Sequence, residues 1–151
     1  MARHFPLQSL LDHSRHRMEA AERLLRSLKS REDAARARLE ELHGFKRDYQ
    51  QRLAGVGSQG MGIHLLRDFH AFLAKLEVAI LHQAGEVDRA HGSWQAAHAS
   101  WLLLHQKVKA YETLASRHHA QEVARLERRE QRLSDEGALR KHVARSGKGG
   151  A

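Results

Sequence analysis

A chain of 151 residues has room for one domain, and with 41% hydrophobic but only 5% aromatic side chains it is poor in the bulky groups that fill a globular core. A single Pro and 29% charged residues favour long helices, and the absence of Cys excludes a disulfide framework and any thiolate metal site. The net charge of +8 is spread along the chain: 12 basic and 8 acidic residues in 1–53, 5 and 4 in 54–109, 9 and 6 in 110–151. No segment is the one-sign block of a nucleic-acid arm.

Pro6 marks the start of a first helix, since a residue without an N–H is harmless in the first turn. From Leu7 through Leu11, Ser14, Met18, Ala21 and Leu25 to Tyr49 and Leu53, seam residues recur in alternating steps of three and four. That is the 3.5-residue period of a left-handed coiled coil, and it predicts a helix over about 6–53. Four glycines in eight residues, from Gly55 to Gly62, then break the pattern and place a turn at 54–62.

The same spacing returns from Leu66 to Tyr111 through Phe69, Leu73, Leu76, Ile80, Gln83, Val87, Ala90, Trp94, Ala97, Trp101, Leu104 and Val108. A stripe this narrow needs a partner, and so short a connection makes the two helices antiparallel neighbours. The fold class is therefore all-α: two long helices in an antiparallel coiled-coil hairpin, helix two extending beyond helix one. Pairing residues whose numbers sum to 115 sets Trp94 against Ala21, Trp101 against Ser14, Ile80 against Ala35 and Glu32 against Gln83. Large side chains then meet small ones and the polar seam residues meet each other, as a packed interior requires. Lys46 opposite Phe69 is the blemish of that register.

In this register helix one ends opposite Tyr111, while helix two continues to about residue 141. The overhang is polar and includes the helix-favouring run Glu127-Arg128-Arg129-Glu130-Gln131-Arg132. The hairpin thus occupies 1–142, with helix two over 63–141 and a disordered tail at 143–151. No apolar run approaches the roughly 18 residues of a membrane span, and the first eleven residues lack a signal-peptide core, so the expectation is a soluble cytoplasmic protein.

Nothing in the pattern points to catalysis. No phosphate loop, nucleophile–base pair or convergent carboxylate site is evident, and no cofactor is expected. Of thirteen histidines, His91, His98 and His105 recur every seven residues. That spacing spans about 10.5 Å on a helix, too far to share one metal ion. These side chains read as solvent-facing groups.

The two flanks of the seam differ. One is polar, with Arg15, Glu22, Lys29 and Arg36 against Glu77, His91, His98 and His105. The other turns apolar near the turn, where Phe45 meets Phe72 and Ala79 beside Leu42, Tyr49 and Leu76. A two-stranded coil cannot bury both rings, and an exposed aromatic patch suggests a protein–protein site.

The run Leu42, Phe45, Tyr49, a glycine-bearing turn, Phe72, Leu76-Glu77, Ala79-Ile80 and Gln83, followed by Trp101, Leu114, Glu130-Gln131 and Asp135-Glu136, resembles the FliJ family of flagellar type III export proteins. The likeness covers roughly residues 3–142. It implies a non-enzymatic stalk and adaptor that couples the export ATPase hexamer to the transmembrane export gate and handles export chaperones. It also implies a place in the cytoplasm, peripheral to the inner membrane and reaching it only through the export apparatus. The family's gate-binding surface would fall on Leu42, Phe45, Tyr49, Phe72, Leu76, Ala79 and Gln83. In the overhang, Arg125, Arg128, Arg129 and Arg132 are the candidates for contact with the ATPase ring. Two other classes fit the composition: a basic coiled-coil nucleic-acid binder and a homodimerising tether. Interleaved acids and the lack of an aromatic platform on the overhang speak against nucleic acid.

Overall fold

The computed structural model describes residues 3–57, 60 and 62–148. The fold is all-α, with α1 spanning Gln8–Gly57 and α2 spanning Ile63–Lys148. Pro6 lies in the turn that leads into α1, where Gln8 N–H donates to the Phe5 carbonyl at 3.1 Å and Leu11 N–H to the Leu7 carbonyl at 3.0 Å. The helix then continues past the expected end at 53 to Gly57. Glycine weakens a helix by about 1 kcal/mol relative to Ala but, unlike proline, removes no hydrogen bond. The chain turns only beyond that point, and Gly60 adopts φ 83°, a backbone conformation that side chains bearing a Cβ rarely tolerate. Leu66 N–H donating to the Gly62 carbonyl at 3.1 Å opens α2. Within the expected turn, Ser58, Gln59 and Met61 lie outside the described residues.

The molecule divides into two compact units, Glu19–Leu103 and a terminal unit of Met1–Met18 with Leu104–Ala151. In the first, α1 and α2 run antiparallel, so the numbers of facing residues have a nearly constant sum. Glu32 with His91, Glu22 with Trp101 and Lys46 with Glu77 each sum to 123. The register is therefore close to 122, one heptad on from the expected 115.

The correction has a physical cause. Moving one heptad keeps large against small, since 122 pairs Trp101 with Ala21, Leu25 with Ala97 and Val87 with Ala35. Volume matching hardly separates the two registers, and charge does. Lys46 Nζ now lies 3.5 Å from Glu77 Oε1 instead of opposite Phe69. Glu32 does not meet Gln83: its Oε1 takes hydrogen bonds from Arg36 at 2.9 Å and from His91 Nδ1 at 2.6 Å, with Lys29 Nζ 3.5 Å from Oε2. Gln83 instead donates its amide to the Ala35 carbonyl at 3.0 Å. The bulkiest misfit of the new register, Trp94 against Leu28, is relieved because the indole stacks between two imidazoles of its own helix. His91 lies 6.1 Å away at 19° and His98 5.0 Å away at 23°.

The terminal unit holds the same register. Ser14 and Val108, which sum to 122, are both buried, as is Leu11. The rings of Phe5 and His118 lie 5.6 Å apart and again sum to 123. Pairing thus does not stop at Tyr111. The segment ahead of α1 carries it on, with Arg3 N–H donating to Glu122 at 3.1 Å and His118 Nε2 to the Arg3 carbonyl at 2.9 Å. From Val123 onward α2 is mostly exposed, with Leu133, Leu139 and Val143 open to solvent. It stays helical to Lys148, past the expected end near 141 and into the expected tail. Ala, Arg and Lys favour helix, and a lone Gly147 costs too little to stop it. Residues 149–151 lie outside the described residues.

Candidate functional site

The seven residues of the apolar flank divide by depth. Leu76 and Gln83 are only 8% and 9% exposed, and the Gln83 amide is used by the Ala35 carbonyl. Leu42, Tyr49 and Ala79 are half-buried, while Phe45 and Phe72 are 53% and 41% exposed. The seam therefore holds the first pair beneath the surface, and three aromatic rings form what a partner can touch. Tyr49 and Phe72 are stacked with centroids 4.3 Å apart at 30°, so α1 and α2 meet here through an offset ring pair. Phe69 meets Tyr49 edge-on at 6.1 Å, and Arg52 Cζ sits 5.8 Å from the centroid of Tyr49. Phe45 lies one turn before Tyr49, hence on the same face of α1.

Sequence reasoning missed part of this surface. A shallow hollow of about 210 Å³ beside the stack is lined by Tyr49, Leu65, Asp68, Phe69 and Phe72. Leu65 is one heptad before Phe72 and Arg52 one heptad after Phe45, so extending the flank by one step in each direction would have found both.

The arginine candidates lie together in the terminal unit. Arg125, Arg128, Arg129 and Arg132 line an open groove of about 640 Å³ with Gln121 and Glu122. Arg125 donates to Glu122 at 3.0 Å and Arg128 to the Ala124 carbonyl at 3.4 Å. The backbone N–H of Arg3 acts first and Arg125 second to hold the Glu122 carboxyl below the usual carboxylate range, against the opposing pull of burial.

The histidines are not plain solvent groups. His91 is bonded to Glu32, His118 to Arg3, and His98 stacks on Trp94 and lies 5.6 Å from Trp101. Glu32 is the polar centre of its unit, 2% exposed. The Arg36 guanidinium is the largest influence on it. With His91 and Lys29 it outweighs burial and brings the carboxyl from 4.5 down to about 2. Among the described residues no three His, Asp or Glu side chains converge as a metal ion would require, and no helix is long and apolar enough to cross a membrane.

A heptad seam closed by antiparallel segments, with side chains offered along its flanks, defines an antiparallel coiled-coil protein. The family model described as "Flagellar FliJ protein" matches residues 3–147, and the chain belongs to the FliJ family. It is a flagellar export-associated protein, as the resemblance in its sequence implied. The Flagellar FliJ protein of Escherichia coli (strain K12) is 26% identical over 140 residues, which cover 93% of this chain and 95% of that relative. No solved structure matches this chain.

Proposed function

We propose that this protein is a non-enzymatic stalk and adaptor of the flagellar type III export apparatus, coupling the export ATPase ring to the export gate and handling export chaperones. The observation that carries the reading is the ring set of exposed Phe45 and Phe72 with half-buried Tyr49 in a chain of this family. Rigid aromatic anchors stripped of water supply most of the energy in typical interfaces. In this reading the rings engage the soluble part of the gate, Leu42 and Ala79 border them, and Leu76 and Gln83 support them from the seam. Arg125, Arg128, Arg129 and Arg132 contact the ATPase ring. The protein works in the cytoplasm and reaches the inner membrane only through the apparatus.

Pull-downs of the full-length chain with the gate's soluble domain and, separately, with the export ATPase test both contacts. Phe45→Ala with Phe72→Ala should weaken gate binding by about a hundredfold, from roughly 1–2 kcal/mol per ring, and leave helicity and ATPase binding unchanged. Removal of residues 123–151 should do the reverse. Gate binding that survives loss of both rings would refute the aromatic assignment.

A further inference from the structure

The face of α2 that meets α1 continues past Tyr111 in the same steps of three and four: Ala115, His118, Glu122, Arg125, Arg129, Arg132, Glu136, Leu139 and Val143. As far as Glu122 these positions are answered by the other end of the chain, through the Arg3 carbonyl and N–H. Beyond it, seam positions that are mostly apolar elsewhere hold three arginines in succession. Arg125 is tied to Glu122, whereas Arg129 and Arg132 make no hydrogen bond or ion pair among the described residues. Both are exposed, and both line the open groove with Arg128. Where this seam buries a carboxylate, at Glu32 and again at Glu122, cations or N–H groups surround it. At Arg129 and Arg132 the cations of that arrangement stand without a carboxylate among the described residues.

We propose that this face receives an acidic helix of another protein, seated in continuation of the line that α1 follows along the seam, with carboxylates at successive seam positions against Arg125, Arg129 and Arg132. The inference rests on the proposed ring contact only in sharing these arginines, and it specifies the chemistry that meets them. The seam positions set the geometry. Arg125 to Arg132 spans seven residues, about 10.5 Å, which is the rise between equivalent residues of any helix packed alongside. Planar guanidiniums can each hold a carboxylate through two parallel hydrogen bonds.

A phosphate chain fits less well. Glu122, Glu127, Glu130, Asp135 and Glu136 interrupt the column on every side and would repel continuous negative charge. A helix can instead place a basic residue opposite Glu122 and Glu136. A second copy of the chain also fits poorly. A parallel pair would set arginine on arginine. The antiparallel pair that matches Arg132 with Glu136 leaves Arg129 opposite Leu139 and Arg125 opposite Val143.

The test uses the full chain and a labelled designed helix of three heptads bearing Glu at its seam positions, with a Lys-bearing counterpart, followed by fluorescence anisotropy. The Glu helix should bind and the Lys helix should not. Arg129→Glu with Arg132→Glu should weaken the Glu helix by at least about tenfold and confer binding of the Lys helix. Helicity of the variant is checked by circular dichroism. Failure of the Glu helix to bind, or binding that ignores the double reversal, overturns the proposal. So does tighter binding of duplex DNA or phosphatidylserine vesicles that is lost on the same reversal. A dimer in sedimentation that the reversal abolishes would assign the face to a second copy and overturn it too. The ATPase pull-down is read separately, so an arginine face that binds the ring without preferring acidic helices is distinguished from one that does neither.

Discussion

The two units bury a carboxylate in equivalent seams and neutralise it by different means. In Glu19–Leu103, Glu32 is held by side chains from both helices: Arg36 and Lys29 on α1 and His91 on α2. In the terminal unit, Glu122 is held by Arg125 of its own helix and by the backbone of Arg3, a residue ahead of α1. The first arrangement locks a register, because sliding either helix removes His91 from Glu32. The second anchors a chain end, and the seam positions Arg129 and Arg132 beyond it make no hydrogen bond or ion pair among the described residues.

The comparison can be broken most sharply by a cavity. Leu11, fully buried in the terminal unit, should cost about 2–4 kcal/mol when changed to Ala. Hydrogen exchange should then accelerate across 104–122 and leave Glu19–Leu103 protected. Equal acceleration in both units would show that their seams melt as one.

Acid sharpens the comparison. The Glu32 carboxyl is depressed in the folded chain to about 2 from 4.5, so its contribution is complete above 4.5 and declines as pH falls from 4.5 toward 2. Thermal melts of the native chain should lose stability across that window. Glu32→Gln should be less stable at pH 7 and should flatten the dependence. A Gln variant that loses stability as steeply as the parent would assign the acid sensitivity elsewhere.

The smallest effect is a gain. A Cβ added at Gly92 meets nothing within 4 Å, so Gly92→Ala should stabilise the first unit by about 1 kcal/mol without touching the carboxylates. Denaturant midpoints measure it.

Much of this was legible in the residues. The three-four spacing gave both helices, and the flank analysis found Phe45 and Phe72. The register was not legible, because Trp101 can face Ser14 or Ala21 with nearly equal fit. Lys29 and Arg36 stand three and four residues from Glu32, within reach on one helix face, so two of its three cations were visible in sequence. The third, His91, belongs to the other helix and becomes a neighbour only once the register is known. Helix two runs past the expected end near 141 because a lone Gly147 is a modest penalty among helix-favouring residues.

Gly60 also bears on how the chain folds. Around that reversal, cross-helix contacts close loops of growing length: 48 residues for Ala35–Gln83, 59 for Glu32–His91, 79 for Glu22–Trp101, 97 for Arg15–Glu112 and 119 for Arg3–Glu122. Each layer formed near the turn shortens the loop that the next must close, so zipping outward is the entropically cheapest route. A mispaired layer near the turn is then copied into every later one, and along that path the buried Gln83–Ala35 contact comes first and the buried charge of Glu32 with its cations next.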